Sequence, residues 1–153
     1  MGACSLGLLM PVERRAARLI ALDAADRILL LQYARPNGEK FWATPGGGLE
    51  PGETFEMAAS REAVEELGVS AIELRPLWAG AAVFPVGDGS IHQEERFFLL
   101  RLDAEYLTAE VQQAHRLEGI LQTRWWTLPE LQCTAETVFP VDLAARVATI
   151  VRA

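Results

Sequence analysis

The stretch Gly47-Gly48-Leu49-Glu50-Pro51-Gly52-Glu53-Thr54-Phe55-Glu56-Met57-Ala58-Ala59-Ser60-Arg61-Glu62-Ala63-Val64-Glu65-Glu66-Leu67-Gly68-Val69 decides how this chain is read. It opens on a glycine run, Gly46 to Gly48 after Pro45, where three glycines behind a proline argue against any regular element. From Thr54 to Leu67 there is neither Gly nor Pro, and Ala, Glu, Met and Leu dominate. That composition predicts a helix capped by Thr54 and ended by Gly68. At about 100° per residue, Glu62 and Glu66 lie one turn apart with Glu65 between them in angle, so the three carboxylates share a face. Ala58 and Ala59 precede them on that face and leave room for ligands. Met57, Val64 and Leu67 are expected to point the other way, into a core.

This segment holds six glutamates and a single arginine, so most of the chain's net charge of −7 is concentrated in it. Repulsion among the carboxylates must be offset by something positive. Hard divalent cations such as Mg²⁺ or Mn²⁺ bind carboxylate oxygens and are completed by water and substrate phosphates, which suits clustered Glu beside a glycine loop. Zinc is disfavoured because no His or Cys residues are paired. The bland alternative is a solvated helix face, balanced by Arg61 four residues before Glu65. The glycine run alone is no nucleotide fingerprint, since no GxGxxG can be placed on it and no GK[ST] follows.

The whole chain has 153 residues, 50% of them hydrophobic and 23% charged. One folded domain spanning residues 1–153 is therefore expected, and a disordered chain is excluded. The acidic balance argues against broad binding to a nucleic acid polymer or an anionic membrane. Cys4 and Cys133 form no framework and read as reduced thiols, which points to the cytoplasm. No secretion, membrane or lipidation signal is found. Residues 1–12 are expected to be an extra strand or disordered.

Outward from the glutamate segment, Leu19 to Leu22 and Ile28 to Leu31 flank Asp23-Ala24-Ala25-Asp26 in the pattern of a hairpin with a four-residue loop. Residues 34 to 41 read as a loop, followed by a short strand at Phe41 to Thr44. Strand-like runs at Leu74–Phe84 and Arg96–Leu102 are separated by a Gly87-Asp88-Gly89 turn, which predicts a second hairpin. Ala109 to Leu117 reads as a short helix or ordered loop, Arg124 to Leu128 as a strand, and Val141 to Val151 as a closing helix. Strands interrupted by one helix and finished by another define an α+β or α/β layered domain.

Taken jointly, Gly47, five residues, Glu53, seven residues, Arg61-Glu62, then Ala63-Val64-Glu65-Glu66-Leu67-Gly68-Val69 follow the pattern GX5EX7REUXEEXGU. The segment resembles the Nudix box, and Ala63, where the family prefers a larger aliphatic, is the one soft departure. The Trp42-to-Gly47 lead-in, the hairpins and the closing helix extend the likeness over nearly the whole chain. The resemblance implies an α/β/α sandwich with a small mixed β-sheet packed between helices. It implies hydrolysis of a nucleoside diphosphate linked to another moiety, by water attack on phosphorus with bound Mg²⁺ or Mn²⁺, on a small-molecule nucleotide substrate.

By the same resemblance, Glu62 and Glu66 are the main metal ligands. Glu65 is a further ligand or a holder of water on the metal, and the Gly46 carbonyl is a ligand from the loop. Glu53 and Arg61 orient the loop and the helix. The general base varies in the family; Glu118 stands first among the late candidates, as base and as further metal ligand, and Glu95 second. Glu94 is expected on the other sheet face from Glu95. Tyr33, Trp42, Phe84 and Trp125 are available to stack on a base, with core the ordinary role for such residues. His92 and His115 receive no role.

Two other readings of the same residues are a catalytically silent nucleotide-binding or regulatory module and a prenyl diphosphate isomerase. Intact Glu62, Glu65 and Glu66 disfavour the first, and the settings of Cys4 and Cys133 disfavour the second. Monomer and homodimer are both compatible with the apolar pattern.

Overall fold

The computed structural model describes residues 11–70, 73–102, 115–116 and 119–151. Along the chain they form β1 (Val12–Leu22), β2 (Ile28–Ala34), β3 (Lys40–Ala43), β4 (Gly46–Gly48) and α1 (Phe55–Leu67). There follow β5 (Arg75–Val86), β6 (Gly89–Arg101), β7 (Gln122–Trp126), α2 (Leu128–Cys133), β8 (Val138–Phe139) and α3 (Leu143–Val151). The strands make one mixed sheet in the order β5-β6-β1-β2-β3-β8, with β4 added to β1 and β7 to β2.

The first hairpin forms and then splays. β1 and β2 pair at Leu22↔Ile28, and the loop between them runs Asp23–Arg27, one residue longer than the spacing suggests. Asp23 closes that loop, its carboxylate accepting from the Ala25 and Arg27 amides at 2.9 and 2.8 Å. Beyond the turn the two strands take different partners. β6 runs parallel to β1 from Val12↔Ile91 to Leu22↔Arg101, and β4 pairs with β1 at Ala16↔Gly48 to Arg18↔Gly46. β2 is flanked instead by β3 and β7. The sheet therefore opens between β1 and β2, and the chain crosses that opening at Thr44-Pro45.

Side chains alternate across the strands and build a core on each face. Ala17, Leu19, Ala21, Phe98 and Leu100 pack against Ala58, Ala59, Ala63 and Leu67 of α1. Ile20, Leu22, Ile28, Leu30, Trp42, Phe97 and Trp126 pack on the opposite face against Leu131 of α2 and Leu143 and Val147 of α3. A mixed sheet between helices is the α+β layering expected from the sequence. No helix among the described residues is long and apolar enough to cross a membrane. Cys133 is free and exposed.

Several expectations need correction. The glycine run is a strand, because its bare backbone can approach β1 as nothing larger could. Met57 and Val64 are 54% and 50% exposed, whereas Leu67 is buried as expected and Ala58 and Ala59 are fully buried beside it, so these alanines form core contacts while Met57 and Val64 face outward. The strand expected at Arg124 to Leu128 stops at Trp126, and Thr127 starts α2 through a capping box with Glu130. Of the helix or loop expected at Ala109–Leu117, only His115 and Arg116 are described. The reading of residues 1–12 falls outside the described residues up to residue 10, as does Cys4.

Candidate active site

The site is assembled where β4 meets α1. Pro45 is held by Leu19, whose amide donates to its carbonyl at 2.8 Å. Gly46 follows at φ +136°, and a Cβ there would stand 2.1 Å from the Ala17 carbonyl oxygen, so only glycine fits. Its amide donates to Glu66 Oε2 at 2.8 Å. At Gly47 a Cβ would stand 2.5 Å from Glu62 Oε1. The strand thus lays bare backbone directly against two helix carboxylates.

Thr54 caps α1 by accepting from the Met57 amide, and Gly68 ends it at φ 72°. On this helix Glu62 and Glu66 are 7% and 5% exposed. Glu65, expected beside them, turns outward with a side chain 46% exposed. Buried carboxylates need charge compensation or hydrogen bonds, and Arg61 supplies much of it. Its Nη1 donates to Glu62 Oε1 at 2.9 Å and to Glu65 Oε2 at 3.2 Å. Its Nε and Nη2 grip Glu53 as a fork, at 2.8 and 2.9 Å, and Nη2 also donates to the Gly48 carbonyl at 3.0 Å. Arg61 and Glu53 therefore tie the loop to the helix.

The Arg61 hydrogen bonds, aided by the Glu50 amide, hold the Glu53 carboxyl at about 2, far below its usual 4.5. The same Glu53 contact pushes Arg61 upward. Because the folded value is depressed, this contribution is complete above about pH 4.5 and is lost as pH falls toward about 2. Glu53→Gln is expected to flatten the loss of stability across that acid window, measured as urea midpoint against pH. An unchanged acid limb in the variant would disprove the role.

A second polar group lies beyond the glycine strand. Arg18 Nε donates to Glu95 Oε2 at 3.1 Å, and Gln93 Nε2 donates to the same oxygen at 2.8 Å. Arg18 Nη1 reaches the Thr44 and Gly46 carbonyls, each at 3.4 Å. Glu95 thus comes near the site but is engaged by two donors, while Glu94 is exposed and pairs with Arg96 at 3.9 Å. Glu118 lies outside the described residues.

Arg18 and Gln93 were not singled out from the sequence, and His115 was given no role. Arg18 had a cue, a lone cation inside the run Ala16-Ala17-Arg18-Leu19-Ile20. His115 had none; it is 3% exposed and its Nε2 donates to the backbone carbonyl of Glu66. Among the aromatics, Trp42 is core, edge-on to Trp126 with centroids 5.3 Å apart, and Tyr33 stacks on Phe41 at 5.5 Å. Phe84 is 38% exposed, and Trp125 packs partly buried against the α1 core.

Among the described residues no group of three or more His, Cys, Asp or Glu is gathered as a ready-made metal site. The donor chemistry nonetheless fits a hard divalent cation. Glu62, Glu66, Glu65 and the Gly46 carbonyl offer oxygen only, and the missing Gly47 side chain leaves the Glu62 carboxylate its place. Arg61 partly occupies the compensating role that a cation would share.

Residues 12–146 match the family model of the NUDIX domain. The chain belongs to the Nudix family. It is 30% identical over 122 residues to the RNA pyrophosphohydrolase of Actinobacillus pleuropneumoniae serotype 5b (strain L20), covering 71% of this chain and 58% of that protein. It is likewise 30% identical over 121 residues to the RNA pyrophosphohydrolase of Haemophilus ducreyi, covering 70% of this chain and 61% of that one. The chain thus spans about three fifths of the length of these relatives.

Two solved structures share the fold. A mutT/nudix family protein from Listeria innocua superposes with a TM-score of 0.70 at 18% identity, covering 94% of this chain and 96% of that one. The E. coli dihydroneopterin triphosphate pyrophosphohydrolase gives 0.67 at 19% identity, covering 93% and 99%.

Proposed function

We infer that this chain is a divalent-metal-dependent pyrophosphohydrolase. It would cleave a phosphoanhydride bond in a nucleoside diphosphate linked to another moiety, by attack of water on phosphorus. The observation that carries the reading is the pair of buried carboxylates, Glu62 and Glu66, held one helical turn apart against the bare backbone of Gly46 and Gly47. Buried carboxylates are costly unless paired or hydrogen-bonded, and here Arg61 and the Gly46 amide hold them.

Glu62, Glu66, Glu65 and the Gly46 carbonyl would hold Mg²⁺ or Mn²⁺. When bound, the ion supplies charge neutralisation at the pyrophosphate and activation of water. The chain's own part is orientation. The Gly46 amide fixes Glu66, Arg61 fixes Glu62 and Glu65, and the Arg61–Glu53 fork keeps the glycine strand at its distance from α1. Glu118 remains the first candidate for general base. Glu95 already accepts from Arg18 and Gln93 through Oε2. We place the activity in one cytoplasmic domain of residues 1–153, acting as monomer or homodimer on a small nucleotide.

The relatives named RNA pyrophosphohydrolase favour a second reading, in which the pyrophosphate stands at the end of an RNA. Both are tested by phosphate and pyrophosphate release with Mg²⁺ and Mn²⁺. The panel comprises (d)NTPs, ADP-ribose, nucleotide sugars, dinucleoside polyphosphates and a 5′-triphosphorylated oligoribonucleotide. Turnover of one class is the expected result. No turnover by a protein that still binds metal would point to the silent binding module.

A further inference from the structure

We propose that Arg18 and Arg14 form a polyphosphate-binding strip on the side of β4 opposite α1, so that the enzyme selects substrates with a third phosphate over nucleotide sugars. The proposal rests on the hydrolase reading above and narrows its substrate class.

Strand alternation places the strip. Ala17 and Leu19 face α1, so Arg18 projects from the other side of β1, and Arg14, two strand repeats earlier, shares that side. Along β4, Arg18 is opposite Gly46 and Ala16 is opposite Gly48. A Cβ on Gly48 would stand 2.8 Å from Arg14 Nη2, so the guanidinium of Arg14 lies across the bare Gly48 backbone. The two Cα atoms are about 13 Å apart along the strand. One face of the three-glycine strand therefore meets the carboxylates of α1 and the other meets two cations. β4 pairs with β1 alone among the described strands, and the outward backbone groups of its other edge, at Gly46 and Gly48, are taken by Glu66, Arg18 and Arg61, so carboxylates and cations meet along that edge.

The hydrogen bonding of these cations is incomplete. A guanidinium has five N–H donors. Arg18 commits Nε to Glu95, reaches two carbonyls weakly with Nη1, and makes no hydrogen bond through Nη2 among the described residues. Arg14 makes neither a hydrogen bond nor an ion pair among them. Arg61, in contrast, is fully engaged by carboxylates and the Gly48 carbonyl.

Arg18 is also held in place. Its side chain is 20% exposed and its partner Glu95 only 9%. Gln93, 2% exposed, fixes the Glu95 oxygen that receives Arg18. A buried ion pair contributes little to stability for its desolvation cost, but it does aim a planar fork, and phosphate is the ligand such a fork matches. A sugar in the same place would present hydroxyls and bring no anion to Arg14 or to the Nη2 of Arg18. A third phosphate brings the missing negative charge.

The test compares binding of inorganic tripolyphosphate and inorganic pyrophosphate by calorimetry in Mg²⁺, together with kcat and KM for an NTP. Wild type is expected to prefer tripolyphosphate. Arg18→Gln and Arg14→Gln should each weaken tripolyphosphate by about 10- to 100-fold, the range for a charge-assisted hydrogen bond. They should raise KM for the NTP more than they lower kcat, and Arg18→Lys should recover only part of the loss.

Glu95 is a positioning residue in this scheme, and Glu95→Gln should raise KM with little change in kcat. Arg14 is exposed, so Arg14→Gln keeps the test valid even if Arg18→Gln folds poorly. Unchanged tripolyphosphate binding in Arg14→Gln and in folded Arg18→Gln overturns the strip. NTP turnover insensitive to both variants would leave the hydrolase reading standing without it. Arginine-dependent binding with no turnover of any nucleotide would leave the strip standing and sink the hydrolase.

Discussion

Glu66→Gln is expected to fold normally and to lose about 10²- to 10³-fold in kcat/KM, on the order of 3 to 4 kcal/mol of transition-state stabilisation. The fold survives because glutamine is close to isosteric and its amide oxygen can still accept from the Gly46 amide, the bond made at 2.8 Å by Glu66 Oε2. Removing a charge from a side chain only 5% exposed also relieves desolvation, so Tm without metal should hold or rise. Activity falls because a neutral amide is a poor ligand for a hard cation. Two measurements check this, kcat/KM with Mg²⁺ and the Tm increase on adding Mg²⁺, which should shrink in the variant. Full activity would remove Glu66 from the site.

Gly46→Ala and Gly47→Ala, one residue apart, are expected to fail in different ways. At Gly46 the added carbon meets backbone, the Ala17 oxygen at 2.1 Å and Arg18 Cα at 2.9 Å, and the φ of +136° is hostile to any L side chain. Neither neighbour can yield without breaking the β1–β4 pairing. A loss above roughly 4 kcal/mol is expected, much of the net stability of an ordinary domain. At Gly47 the obstacle is the carboxylate end of Glu62, 2.5 Å away, which can swing aside. Gly47→Ala should therefore keep its unfolding free energy, from urea titration, within about 1 kcal/mol of wild type and lose activity by displacing Glu62. Equal midpoints for the two variants would show that β4 does not lie against β1 and α1 as described.

Local chemistry made α1 legible. Thr54 and Gly68 mark its ends, and the composition between them leaves no other element available. The glutamate spacing likewise announced Glu62 and Glu66. What the spacing could not reveal is which arc of the helix would be buried. The buried arc carries Phe55, three alanines, Leu67 and the two carboxylates that meet β4, while Met57 and Val64 face solvent.

The splaying of β1 from β2 has the same kind of cause. A hairpin signal is local, whereas β4 and β3, which take over the edges that β1 and β2 vacate, come from later in the chain. Glu95 reaches Arg18 across 77 residues of sequence, and no periodicity in one chain encodes such a meeting. The strand formed by Gly46–Gly48 was unreadable because glycine has little strand preference of its own; close approach alone selects it.

Arg61 joins Gly48 at the end of β4 and Glu53 in the following loop to Glu62 and Glu65 on the helix through a single planar group. A loop fastened in that way surrenders its conformational freedom when the chain folds. Little remains to be frozen when a ligand arrives, so binding energy need not be spent on ordering the protein. The acidic segment that makes the chain unusual in charge is thus also the one whose entropy is settled in advance.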